Sequence, residues 1–246
     1  MLIGILETGT VNAALVPRFG EYPPMFEALL SPADPGLSYR TYAALDGALP
    51  ASPAECDAWL ITGSKHGVYD DLPWIEPLKA FLRAARAAGR PIVGICFGHQ
   101  ILAEALGGRA AKSGKGWGAG VHDYQVVHRP GWMAGAPDSF AIHAMHQDQV
   151  TAIPEDATVL AASPFCEFAM LAYGDPEAPD AISIQPHPEF DEDYARALVE
   201  WRTGVVIPAE CGAAALASFG RAVNQQDFAR WCVDFLRAAT ARRNAA

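Results

Sequence analysis

The chain has 246 residues, 51% hydrophobic and 19% charged, enough apolar material for a sizeable core and too much for a disordered chain. Its 18 Lys+Arg against 28 Asp+Glu give a formal charge of −10, a surface that repels nucleic-acid backbones and anionic lipid heads. Five cysteines without a CxxC pair read as reduced thiols, and no run nears the roughly 20 apolar residues of a bilayer span. The expectation is a cytoplasmic protein with neither a nucleic-acid nor a membrane partner.

The opening residues Met1–Glu7 lack a basic n-region, so Leu2–Leu6 reads as a strand buried on both faces rather than a signal. Pro23–Leu30 is a short helix stopped by Ser31-Pro32, and Leu37–Leu45 supplies a second strand. Ala58–Thr62 is a third strand, ending on Gly63. Trp74–Ala88 is an amphipathic helix with Ile75, Leu78, Phe81, Leu82 and Ala85 on one stripe and Gly89 as its stop. Ile92–Ile95 is another buried strand, and Gly98–Leu106 a helix that follows at once. Gly107–Gly120 reads as a hairpin loop. Val121–His128, Phe140–His146, Val159–Ala162, Phe168–Tyr173 and Ala181–Gln185 are successive strands. Asp191–Arg202 and Asp227–Ala241 close the chain as helices, the last with Phe228, Trp231, Phe235 and Leu236 inward.

Strand and helix alternate closely up to Leu106, the pattern of an open, mostly parallel sheet with helices on both faces. The run of strands after it adds an antiparallel extension. The class is α/β. No linker or internal repeat divides the chain, so a single domain over 1–246 is expected, with a C-terminal helical extension from about residue 205.

The chemistry concentrates at two places. Gly94-x-Cys96-x-Gly98 lies between a buried strand and an amphipathic helix, the context of a nucleophile elbow, whose turn is too tight for side chains flanking the nucleophile. A thiol there meets the positive end of a helix dipole, which favours the thiolate. A cysteine nucleophile needs a base, and the base an orienting group. Of the seven histidines, His187 follows the strand Ala181–Gln185 in Gln-Pro-His-Pro-Glu. Pro188 keeps His187 extended, and in an extended chain residues i and i+2 share a side, which puts the Glu189 carboxylate beside the imidazole.

Cys96-Phe-Gly-His-Gln100 together with His187-Pro-Glu189 resembles the class I (triad) glutamine amidotransferases, over about Ile3 to Glu189. The resemblance implies a flavodoxin-like open sheet and a Cys96–His187–Glu189 triad that releases ammonia from glutamine through a γ-glutamyl thioester, with no metal and no cofactor. It implies backbone donors to the oxyanion at Gly63 and Phe97, and a substrate contact from Gln100. Ser64-Lys65-His66 follows Gly63 where that family has a second glycine and a proline. Met145-His146-Gln147-Asp148 resembles the loop that holds the amino-acid end of glutamine, with Gln147 in place of glycine, so His146 and Gln147 join the expected substrate contacts. Gly67–Ile75, Gly94–Gln100 and His146–Asp148 are similar to a stand-alone branch that includes the γ-glutamyl peptidases, which cleave γ-glutamyl groups from glutathione conjugates. A synthetase or other ammonia acceptor, where one exists, is expected to be a separate protein.

The remaining signals point elsewhere than chemistry. His143-x-x-His146 lacks the further ligands of a metal set, and on a strand i and i+3 face opposite sides. Gly107–Gly120 lacks the ending of a phosphate loop. Cys56, Cys166, Cys211 and Cys232 carry no elbow and read as small core residues. The leading expectation is a thiol amidohydrolase acting on glutamine, the alternative a γ-glutamyl peptidase, and the lesser alternative a non-catalytic binding module.

Overall fold

In a computed structural model, which describes residues 1–245, the elements follow the chain as β1 (Leu2–Leu6), α1 (Val16–Phe19), α2 (Tyr22–Leu30), β2 (Ser38–Tyr42), β3 (Ala58–Ile61), α3 (Ile75–Ala87), β4 (Ile92–Ile95), α4 (Phe97–Ala105), β5 (Arg109–Lys112), β6 (Gly118–Val126), β7 (Ser139–His146), β8 (Asp148–Ala152), β9 (Ala157–Ala162), β10 (Met170–Tyr173), β11 (Ala181–Ile184), α5 (Glu192–Arg202), α6 (Ala209–Ser218) and α7 (Gln225–Ala245). Nine strands make one sheet in the order β2-β1-β3-β4-β11-β10-β9-β6-β7. From β2 to β11 every pairing is parallel, and from β11 outward every pairing is antiparallel. The sheet thus has the α/β form that the sequence predicts, a parallel body with an antiparallel extension.

Alternation along the parallel strands feeds a core on each face. Ile3, Ile5, Leu60, Val93, Ile95, Ile182 and Ile184 point to the side covered by α2 and α7. Leu6, Trp59, Ile61, Ile92 and Ala181 point to the side covered by α3 and α4. The stripe on α3 buries the five residues expected of it, and Gly89 ends that segment at φ +65°. A third cluster packs α5 and α6 against β6 and β7 through Val121, Ala141, Leu198, Val199 and Ala215.

Several boundaries differ from the sequence reading. Gly107–Gly120 is not one loop: it contains β5 and the first residues of β6. Arg-Ala-Ala-Lys has little strand preference of its own, and it becomes a strand by pairing with β8, Ala110 opposite Val150, in a separate two-stranded sheet. The strand β8 was itself not expected. The second strand ends at Tyr42, because Ala44–Asp46 turns as a 3-10 helix closed by Gly47 at φ +79°. Residues beyond about 205 form α6 and α7. No helix among the described residues is long and apolar enough to cross a membrane.

Candidate active site

In open α/β sheets, ligands collect beyond the C-terminal ends of the parallel strands. Cys96, one residue past β4, stands there. Its φ of 53° is the sole positive value among the described non-glycine residues, and its amide is held by the Ile184 carbonyl of β11 at 2.9 Å. The flanking glycines are sterically fixed. A Cβ on Gly94 would come 2.4 Å from the Gly98 oxygen, and one on Gly98 would come 2.5 Å from the Ile61 oxygen. Both clashes are with backbone, which cannot step aside. The strand therefore turns into α4 at Cys96, the N-cap residue, with Phe97 as its first helical residue.

His187 and Glu189 follow β11. Glu189 Oε1 lies 2.7 Å from His187 Nδ1, so the carboxylate accepts the Nδ1 proton and leaves Nε2 as the other ring nitrogen. Phe190 stacks on the imidazole at 4.0 Å and 8°. The His187 amide donates to the His143 carbonyl at 2.8 Å, which ties this segment to β7, the far edge of the sheet. Glycine at 63 is required by the ring itself, since a Cβ there would come 2.9 Å from His187 Cε1 and 3.8 Å from Cys96 Cβ. The Gly63 carbonyl accepts from Thr8 Oγ1 at 3.3 Å and Thr62 Oγ1 at 3.2 Å. Across that trans peptide the Ser64 N–H faces the opposite way.

Charge separates His187 from its neighbours. Burial pushes His99 and His146 down to about 3, which keeps both rings neutral. Burial pulls His187 in the same direction, yet Cys96 and Glu189 outweigh it and raise the imidazole to about 10. A buried thiol, imidazole and carboxylate thus stand together, residue types that can serve as nucleophile, base and orienter.

Two cavities flank this group. The smaller, of 290 Å³, is lined by Cys96, Gln100, Ser64, Lys65, Asp70, Lys112, Arg202 and Met145 to Asp148. It carries both signs of charge. Tyr69 Oη donates to Asp148 Oδ2 at 2.8 Å. Gln147 sits in the turn between β7 and β8, its carbonyl held by the Ser113 amide at 3.1 Å. Gln100 also lines the cavity, but its amide nitrogen is directed inward, to the Asp148 carbonyl at 2.9 Å and Gln185 Oε1 at 3.1 Å. The larger cavity, of 630 Å³, is bordered by His187 and adjoins the smaller one at Ser64, Lys65, Met145 and Arg202; it lies between the segment Thr10–Pro17 and α5, with Tyr22, Phe190, Leu198 and Trp201 among its walls.

The structure thus gathers Cys96, His187, Glu189, Gly63, Phe97, Gln100, His146 and Gln147 around one strand-end crevice. Sequence reasoning missed Tyr69, Lys65, Arg202, Trp201 and Gln185. Lys65 and Tyr69 lie in stretches singled out for their resemblance without a role of their own, and Gln185 left a signal as a polar residue ending an apolar strand two positions before the histidine. His143 and His146 each commit Nδ1 to a backbone carbonyl, of Phe190 at 2.9 Å and of Asp148 at 3.1 Å. Among the described residues no group of three or more His, Cys, Asp or Glu could hold a metal ion.

The glutamine amidotransferase class-I family model matches residues 50–198. Gamma-glutamyl peptidase 3 of Arabidopsis thaliana is 30% identical over 173 residues, 67% of this chain and 68% of that protein. Gamma-glutamyl peptidase 4 of the same plant is 31% identical over 182 residues, covering 71% and 70%. A glutamine amidotransferase from Thermotoga maritima superposes with a TM-score of 0.74 over 97% of both chains at 17% identity, a likeness of fold.

Proposed function

The chain belongs to the class-I glutamine amidotransferase family, and from that premise we propose that it is a thiol hydrolase of γ-glutamyl amides. The observation that carries the reading is the buried Cys96–His187–Glu189 group at the strand ends, with Glu189 2.7 Å from His187. His187 Nε2 takes the Cys96 proton, and the sulfur adds to the γ-carbonyl carbon of the substrate. The Phe97 amide and an amide of the Gly63–Ser64 stretch stabilise the oxyanion; a single such donor is worth about 10²–10³-fold in kcat. The C–N bond then breaks as His187 returns the proton to the leaving amine, which leaves a γ-glutamyl thioester. Water enters, His187 removes its proton, the oxygen adds to the thioester carbon, and the C–S bond breaks to give glutamate and the free thiol. Glu189 transfers no proton and holds the imidazole throughout.

The smaller cavity suits the glutamyl half of the substrate. Its cations Lys65, Lys112 and Arg202 and its anions Asp70 and Asp148 match a zwitterionic amino-acid end. The larger cavity favours a second, narrower reading: the amine that leaves is larger than ammonia. His187 must face the departing nitrogen, and it borders 630 Å³ walled by Tyr22, Phe190, Leu198 and Trp201, room for an amine larger than ammonia. The likeness to the Arabidopsis γ-glutamyl peptidases supports this peptidase reading. A synthetase partner is not needed for either.

The test is glutamate release by the purified protein from glutamine, glutathione and a γ-glutamyl dipeptide with an apolar second residue, each at millimolar concentration. The dipeptide is expected to turn over faster than glutamine. Glutamate from none of the three would overturn the hydrolase reading, and preference for glutamine would overturn the narrower one.

A further inference from the structure

Behind the nucleophile lies a second amide that the triad does not use. Gln185 is fully buried, opens the segment that leads from β11 to His187, and donates from Nε2 to Cys96 Sγ at 3.6 Å. The orientation of that amide follows from hydrogen-bond logic. A backbone carbonyl can only accept, so the Gln100 atom 2.9 Å from the Asp148 oxygen must be its nitrogen. The same nitrogen lies 3.1 Å from the Gln185 amide, so the Gln185 atom facing it must be oxygen. The remaining Gln185 nitrogen is therefore turned onto the sulfur. Reversing any one amide would set two donors or two acceptors against each other in a dry interior.

We propose that Gln185 is a neutral donor that stabilises the Cys96 thiolate, and that Gln100 and the Asp148 carbonyl are positioning groups that hold it in register. The proposal rests on the reading of Cys96 as the nucleophile. Hydrogen bonds to a charged group are roughly twice as strong as those between neutral groups, so the bond favours the thiolate over the thiol. Besides His187, the titratable groups near the sulfur add no positive charge. His187 and Glu189 face it from the segment after β11; Tyr22 of α2, Tyr124 of β6 and Cys166 lie within electrostatic reach. Burial pushes Tyr22 and Cys166 up to about 12 and Tyr124 well above its ordinary range, so all three are neutral at working pH. The imidazolium and the Gln185 amide are then the two side chains that stabilise the charge.

The relay has a consequence for substrate binding. Asp148 presents its carboxylate to Tyr69 at the mouth of the smaller cavity and its carbonyl to Gln100 within. A change in the turn that meets substrate reaches the thiolate through two amides.

The experiment is the rate of iodoacetamide alkylation at Cys96 against pH, read by mass spectrometry of the Cys96 peptide, on the full chain. Gln185→Met keeps length and flexibility but has no donor. Its alkylation midpoint is expected to rise by about 1–2 pH units, the equivalent of one hydrogen bond to a charged group. The acid limb of its kcat/KM profile should move with it. Gln100→Met touches no sulfur yet frees the Gln185 amide to rotate, so a smaller rise is expected. An unchanged midpoint in folded Gln185→Met would overturn the proposal. Should that variant not fold, Gln100→Met alone decides, and an unchanged midpoint in it overturns the relay. Alkylation needs no substrate, which separates the two failures: a shifted midpoint in a protein that hydrolyses no γ-glutamyl amide keeps the relay and sinks the function.

Discussion

The two sides of the candidate site are built by different halves of the sheet. Cys96, Gly63 and His187 stand just past the ends of the parallel strands β4, β3 and β11, and backbone contacts fix them: Gly94 against Gly98, Gly98 against Ile61. Facing them, His146–Asp148 is a turn between the antiparallel strands β7 and β8. To its backbone bonds with Ser113 and β5 it adds side-chain bonds, Gln100 and His146 on the Asp148 carbonyl and Tyr69 on its carboxylate. Backbone against backbone leaves no slack, whereas a side-chain bond can be exchanged singly, with water filling in. The parallel side is thus suited to carry the reaction and the antiparallel side to carry recognition. Substitutions on the first should lower kcat, and those on the second should raise KM.

The largest effect is expected at Cys96. Cys96→Ala removes the only thiol in the elbow, and turnover should fall about 10⁴-fold or more. The fold should survive, because the glycines and not the sulfur make the turn. A strain test sharpens the point. Cys96 pays for its place at φ 53°, and a non-glycine residue held in such a region costs about 1–3 kcal/mol. Cys96→Gly should be as inactive as Cys96→Ala but more stable by about 1 kcal/mol, as measured by urea unfolding. Equal stability would show that the elbow is not strained.

How much of this was legible follows from the same division. The elbow could be read because Gly94, Cys96 and Gly98 meet a local steric demand that any observer of the sequence can state. Glu189 beside His187 could be read because Pro188 sets the backbone between them. The strands β5 and β8 could not: Arg109–Lys112 has no strand signal, and its pairing with a segment 40 residues away is a tertiary effect. Gln185 was passed over because its partners, Gln100 and Cys96, lie 85 and 89 residues away. The walls of the larger cavity come from four separate stretches, within residues 10–22, 64–65, 145 and 187–202, and no spacing in the sequence brings Thr10–Pro17 to Trp201.

Next in size are His187 and Glu189, which separate a proton carrier from its orienter. His187→Ala should lose acylation nearly completely, by about 10⁴-fold or more, in single-turnover kinetics. Glu189→Gln keeps the shape but not the charge, and should cost less than His187→Ala, because the carboxylate transfers no proton. Losses of equal size would give Glu189 a direct part in the reaction. The titration of His187 offers an independent reading. Burial lowers its affinity for the proton, while Cys96 and Glu189 raise it to about 10. Removing either anion withdraws a raising cause, so the midpoint must fall. Histidine NMR should show it lower in Glu189→Gln and in Cys96→Ala than in the parent; a midpoint unmoved in Cys96→Ala would mean that thiolate and imidazolium do not pair.

The smallest expected effect lies on the recognition side, at Tyr69. Its hydroxyl donates to Asp148 Oδ2 at 2.8 Å, and its ring is half exposed at the cavity mouth. Phenylalanine there would remove one hydrogen bond and nothing else, and water can reach the carboxylate in its place. A bond of this kind is worth about 0.5–1.5 kcal/mol net, which converts to a change of about 2- to 12-fold. Tyr69→Phe should therefore raise KM for a γ-glutamyl dipeptide by a few fold and leave kcat within a factor of about two. The Asp148 backbone carbonyl that feeds Gln100 is not touched by the substitution, so the Cys96 alkylation midpoint should stay where it is. A fall in kcat with KM unchanged would place Tyr69 with the reacting groups and break the division between the two sides. A raised KM together with a raised alkylation midpoint would instead show that loss of the Tyr69 bond displaces the Asp148 carbonyl and, with it, the two amides behind it.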